Sequence, residues 1–359
     1  MTTFFSVLVL VCFMALFIYL MYGIVSKTLG PSPASQGPAF NDVPNEAASA
    51  EFNKIRNGSG SQVRSISDDE SQVGLMSLRN VVIKSSYNTA FTGSYMNLDM
   101  IKQVLSRGCR FLDFQVFVKN GSVVVGYSNA TYDPSFSSMT SLNCLSLPGV
   151  CSTIMSYAFS DASPNKEDPL FVQFHLKTAL TENYDTVANI LYSNFNEKIA
   201  WNKDADKALT VTPDTRLVDV RGKVVVLIDA PLMNEYTPTC IDKGMTKSCY
   251  SLQDVVNMNT GTPTVPIYTE SELVKQMYAP SSSTPYLFRI VQPTLGFFMG
   301  ASNPDAHFLI RYYGVQVIGE AFYVLDTNLK AYERLFDESK SAFLSLSATI
   351  GKITTAQAV

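Results

Sequence analysis

The sequence predicts an α/β fold: a (β/α)8 barrel of the TIM type, preceded by one transmembrane helix and a polar linker. Three observations lead there. Short apolar runs alternate with amphipathic stretches from Leu78 to about residue 349. That span suits a barrel, which typically takes ~250 residues. No Gly-rich phosphate loop follows a strand, as it usually would in an open doubly wound sheet, the competing architecture.

The first element is Phe4 to Val25, an apolar run of 22 residues without a charge. At about 1.5 Å per residue it crosses a ~30 Å hydrocarbon core. It lacks the basic flank and small-residue cleavage site of a signal peptide, so it reads as a permanent anchor holding a lipid bilayer at residues 4–25. Tyr19 and Tyr22 suit the interface. Lys27 is the one nearby basic residue, and the positive-inside rule then puts the large C-terminal part on the cytoplasmic side. Residues 26–77 are rich in Ser, Pro, Gly and Asn with little apolar periodicity, a linker by composition and a candidate contact for protein partners.

The barrel is expected over 78–349, followed by a tail at 350–359. Leu78 to Ile83 reads as a buried strand, and Leu98 to Leu105 as a helix stopped by Gly108. Phe111 to Val118 alternates as a strand, Asn120-Gly121 is a hairpin turn, and Ser122 to Val125 returns. Further strands are expected at Leu170 to Phe174, Val224 to Ile228, Leu287 to Val291 and Val315 to Ile318. Further helices are expected at Glu182 to Phe195 and Leu329 to Phe336.

Composition bounds the function. Of 359 residues 46% are hydrophobic and only 16% charged, and the net charge of −4 comes with no basic run. This excludes nucleic-acid binding by bulk electrostatics. Cys144 and Cys151, and Cys240 and Cys249, are two pairs close in sequence, which read either as two local disulfides or as four loop thiols. Their spacing does not suit zinc. Asn57, Asn120 and Asn129 begin Asn-x-Ser/Thr triplets, which carry meaning only if the domain is lumenal.

The motifs, in order, are Ser86-Tyr87-Asn88-Thr89, Arg107-Gly108-Cys109-Arg110, Pro169 to Phe174, Arg221-Gly222-Lys223 before Val224, Phe288-Arg289-Ile290-Val291, Ala301-Ser302-Asn303-Pro304 and Gly314-Val315-Gln316. This series resembles the catalytic barrel of eukaryotic-type phosphoinositide-specific phospholipase C, across both its X and Y halves. The resemblance implies a site at the barrel mouth, yet most of its chemistry is replaced. The first catalytic histidine falls on Tyr87 and the second near Gly126 or Tyr127, so the resemblance implies no catalytic residue in this chain. Of the calcium ligands, Asn88 is kept, a Glu-x-Asp pair becomes Asp113 and Gln115, and a distant Glu becomes His175. Three oxygen ligands with one charge are a poor cage for calcium, so no cofactor is expected. Phosphate-contacting lysines fall on Leu227 and Asp229 and a stacking tyrosine on Val291, while Arg289 remains to pair with a phosphate.

Each survivor also has an ordinary structural role: a barrel salt bridge for Arg289, a hydrogen-bonded strand end for His175, a structural carboxylate for Asp113. His307, the only other histidine, reads as solvated. The expectation is an inactive, membrane-anchored phospholipase C-like barrel. It would act as a structural or interaction protein in a membrane-associated assembly, such as a virus particle in which it ties membrane to shell as a minor capsid component. Two alternatives are a pseudoenzyme that binds a lipid headgroup or phosphate, and a residual phosphodiesterase using Asp113 and His175 as acid and base. A structure is expected to bring Tyr87, Asn88, Asp113, Gln115, His175 and Arg289 together at the C-terminal mouth.

Overall fold

The structure is a computed structural model that describes residues 45–56, 60–66, 72–129, 139–178, 181–230, 233–240, 249–277, 287–293 and 302–356. The chain divides into two compact units, Met1–Ala39 and Phe40–Val359, and every described residue belongs to the second. The candidate anchor at 4–25 therefore lies outside the described residues. Among those described, no helix is long and apolar enough to cross a membrane.

Helix α1, Glu46–Ile55, comes first. It lies inside the segment read above as a linker, and that reading needs correcting. The Asn45 side chain caps it by accepting from the Ala47 N–H, and Phe52 is buried at 8% exposure in the main core. Two polar contacts fix it further: Ser94 N–H donates to Glu51 Oε1 at 2.7 Å, and Asn97 Nδ2 donates to the Ala48 carbonyl at 3.2 Å. Two buried apolar residues, Ala48 and Phe52, are too few to register as periodicity, which is why the segment reads as polar.

The barrel strands and helices then alternate. β1 is Val81–Ile83, α2 Leu98–Ser106, β2 Phe111–Lys119, β3 Ser122–Gly126, α3 Leu147–Ala158, β4 Leu170–Leu176, α4 Tyr184–Phe195, β5 Val224–Asp229 and β6 Met258–Asn259. After these come β7 Ile267–Thr269, α5 Glu270–Met277, β8 Ile290–Gln292, α6 Ala306–Tyr313, β9 Val317–Ile318, α7 Thr327–Ser339, β10 Phe343–Ser345 and α8 Leu346–Ala356. The run from Leu78 that reads as one strand splits into a 3-10 turn, Leu78–Asn80, and the short β1. α8 occupies most of the expected tail and buries Ile353, so the fold continues past residue 349.

Parallel pairing runs β7–β8–β9–β1 on one arc and β2–β4–β5–β6 on the other. The parallel bridge between Ser85 and Phe111 joins the two arcs. No backbone pairing between β6 and β7 is found among the described residues, so the circuit is open at that seam. β10 is antiparallel to β1, and β3 is antiparallel to β2.

Alternation along the strands sorts the side chains into two layers. Leu112, Phe114 and Val116 of β2 pack in the same core cluster as Ile101 and Val104 of α2, Ile154 of α3 and Leu191 of α4. Phe111, Phe171 and Val225 belong to a second cluster. Two residues further along β2 the same face carries Asp113, and four residues further along β4 and β5 it carries His175 and Asp229. The apolar floor thus gives way to polar groups at the C-terminal strand ends, where barrels hold their sites.

Of the candidate disulfides, Cys240 and Cys249 are bridged, with Cα atoms 5.8 Å apart. Both flanks of the bridge are tied to α4. Asp185 Oδ2 accepts from the Thr239 and Cys240 N–H groups at 2.7 and 3.0 Å, and Asn189 exchanges hydrogen bonds with the Tyr250 backbone. Cys144 and Cys151 are not bridged to each other; both are buried thiols. Cys151 sits on the inner face of α3 and Cys144 lies in a small cluster with Phe117 and Val124, so packing claims them separately.

Candidate active site

The mouth is organised around one imidazole. Register sets His175 beside Gln115 on β2 and beside Asp229 on β5. Its Nε2 lies 2.6 Å from Asp113 Oδ2 and its Nδ1 2.9 Å from Asp229 Oδ2. Gln292, at the end of β8, closes a third side beside the ring, its amide N–H donating to Asp113 Oδ2 at 3.1 Å. The other Asp113 oxygen accepts from the Asn88 backbone N–H at 3.1 Å. Asp113 and His175 are only 2% and 4% exposed.

The electrostatics follow from this packing. Burial pulls the His175 pKa down, but the two carboxylates outweigh it and lift it from 6.5 to about 9. At neutral pH the ring is an imidazolium, and both of its N–H groups have a carboxylate to donate to. Burial would raise the Asp229 carboxyl; the His175 hydrogen bond and charge, with Lys177, instead hold it below the usual value.

Tyr87 is half-buried, within electrostatic reach of Asp113. Burial, then the Asp113 carboxylate and the Tyr127 hydroxyl, push its pKa far above 10, so its phenol stays protonated. Tyr127 and Tyr323 both pack against Phe91, with ring centroids 4.4 and 4.9 Å from it. Gly126 pairs with Gln115, and a side chain built at 126 would collide with Met139.

The structure thus gathers Tyr87, Asn88, Asp113, Gln115, His175, Gly126 and Tyr127 at one mouth. Arg289 is the exception to the expected convergence. It precedes β8 by one residue and Gln292 by three, and alternation turns it to the opposite face. Its backbone N–H donates to Gln316 Oε1, and the ionisable group that acts on its guanidinium is Tyr268, not Asp113 or Asp229.

Sequence reasoning missed two members, Gln292 and Asp229 as a partner of His175. Both end strands, and that position was the available signal. It also missed Glu320, wholly buried after β9 with neither carboxyl oxygen hydrogen-bonded. Burial, then Asp326 and Glu333, raise its pKa well above the ordinary carboxyl range.

The residues present do not fit calcium. His175 fills the space between the two carboxylates and takes an oxygen from each. Gln115 Oε1 is occupied by the Ser128 N–H at 2.9 Å. Both polar atoms of the buried Asn88 side chain lack a hydrogen-bond partner, but one amide makes no cage. Among the described residues no group of three or more His, Cys, Asp or Glu is arranged to hold a metal.

Residues 76–229 match the family model of the phosphatidylinositol-specific phospholipase C X domain. No curated protein matches the chain. Among solved structures the fold is similar to the crystal structure of L. pealei PLC21, at 17% identity and a TM-score of 0.55, and to that of S. officinalis PLC21, at 15% identity and a TM-score of 0.56. Each alignment covers 76% of this chain and 37% of the other, so the chain spans little more than a third of those proteins' length. Residues 76–229 are therefore similar to the X domain of phosphatidylinositol-specific phospholipase C, and the barrel fold is shared with the PLC21 structures.

Proposed function

We propose that this chain is a catalytically inactive phospholipase C-like barrel that serves as a structural or interaction protein, tethered to a membrane through residues 4–25. The observation that carries the reading is the Asp113–His175–Asp229 group. An internal imidazolium there supplies the positive charge between the carboxylates, leaving neither free for an external cation.

Acid–base chemistry is short of partners as well. A general acid or base works best with a pKa near the operating pH and with access to the substrate. Tyr87 holds its proton far too tightly for that role. His175 has both nitrogens engaged and a pKa near 9, which weighs against the residual phosphodiesterase reading. The headgroup-binding reading drew on Arg289, Asn88 and the barrel mouth; Asn88 is at the mouth, but strand alternation turns Arg289, its only cation, to the face opposite Gln292.

Helix α1 extends the folded unit N-terminally in sequence, to Glu46. A membrane-containing assembly such as a virus particle, in which the barrel ties membrane to shell, remains the setting this architecture suits best. Titration calorimetry of calcium into the protein at pH 7 tests the reading. No saturable heat at micromolar to millimolar calcium is expected. Binding that Asp113→Asn abolishes would show that the carboxylates are open to a cation, and would sink it.

A further inference from the structure

The Asn120-Gly121-Ser122 triplet sits at the tip of the β2–β3 hairpin. Asn120 and Gly121 adopt φ values of +48° and +74°, a left-handed pair that closes a two-residue turn between Lys119 and Ser122. β4 pairs with β2 only as far as Val116, so the hairpin runs on past the barrel rim by about 10 Å. Asn120, Gly121 and Ser122 are all exposed, and a Cβ built at Gly121 meets nothing within 4 Å. The tip has open space around it.

Two further observations bear on this triplet. The buried asparagines Asn88, Asn97, Asn143, Asn165, Asn257 and Asn303 all lie outside Asn-x-Ser/Thr triplets, whereas Asn120 and Asn129, which begin such triplets, are both exposed. The Cys240–Cys249 bridge is independent of them. Such bonds persist in oxidising compartments and are rare in a reducing cytosol. That outweighs the single Lys27 that argues for a cytoplasmic barrel.

We propose that the barrel faces the lumenal, oxidising side of its membrane and that Asn120 is an N-glycosylation site. The donor is a lipid-diphosphate-linked oligosaccharide. Asn120 Nδ2 bonds to the anomeric carbon of the first sugar as the bond from that carbon to the diphosphate oxygen breaks. The lipid diphosphate leaves with the bonding pair, and the amide gives up one proton to a base on the transferase. The glycan then stands on a hairpin that projects from the C-terminal rim of the barrel, outside the core.

The test inserts the full chain into rough microsomal membranes and reads gel mobility with and without an endoglycosidase for N-linked chains. A glycosidase-sensitive step is expected, and Asn120→Gln and Ser122→Ala should each remove it while Ser122→Thr keeps it. Transfer precedes folding, so a variant that weakens the turn still reports. Absence of any sensitive step, or a step at this position that persists in either loss variant, overturns the proposal. So does peptide mapping that finds Cys240 and Cys249 as thiols in the membrane-inserted protein, because the compartment argument rests on their bridge.

Discussion

Replacing His175 with glutamine should change how stability depends on pH. Glutamine keeps a hydrogen-bond donor but removes the charge that Asp113 and Asp229 share. In the folded protein the His175 pKa is lifted from 6.5 to about 9. A group whose folded pKa is raised stabilises fully below its unfolded pKa, and that stabilisation is lost as pH climbs through the folded pKa. The window is therefore pH 6.5 to 9, and the size of the lift corresponds to roughly 3 kcal/mol. Urea denaturation of both proteins between pH 6 and 9.5 measures it. The wild type should lose roughly 3 kcal/mol more than the variant across the window, and at pH 7 the variant should be less stable by about 3–5 kcal/mol, the cost of breaking a buried pair. Below pH 6 the gap should narrow as the stranded carboxylates take up protons. Parallel curves from pH 6.5 to 9.5 would mean that the ring is not an imidazolium in the fold, and the reasoning about the mouth would fail.

Three further outcomes follow from other parts of the molecule. Glu320→Gln should leave stability at pH 7 unchanged or raise it by about 1–3 kcal/mol, because a buried carboxyl without partners gives way to a neutral isostere; a loss above 1 kcal/mol would point to a hidden partner. Phe52→Ala should cost about 3 kcal/mol in the same denaturation assay if α1 belongs to the barrel unit, and close to nothing if it is a linker. Tyr87→His should not create calcium-dependent hydrolysis, since acid, base and metal act as a unit and one returned member gains little; Gly126→His alongside it would have to displace Met139.

Much of the barrel is legible from local signals. The Asn120-Gly121 turn, the helix stop after Ser106 and the apolar strands at Leu170 and Val224 all appear close to where periodicity and turn chemistry place them. The motif resemblance located Tyr87, Asn88, Asp113, Gln115 and His175 at the mouth. What sequence could not supply is which groups meet. Asp229 looked like a lost lysine position, and only the β4–β5 register reveals that it faces His175. Gln292 carries no motif at all, and it comes to the same ring from 117 positions away in the chain. Arg289 failed for a different reason: β8 begins one residue after it, and one residue of offset reverses the face. Cys144 and Cys151 are near in sequence, but each is held in its own apolar cluster, which proximity along the chain cannot reveal.

The measurement that bears most directly on the central claim is turnover. The full-length protein is mixed with phosphatidylinositol vesicles at pH 7 with and without millimolar calcium, and water-soluble inositol phosphate is counted. With the imidazolium seated between Asp113 and Asp229, release should equal the vesicle blank under both conditions and in the Asp113→Asn variant alike. Calcium-dependent release above the blank, lost in Asp113→Asn, would contradict the account and make this barrel an enzyme.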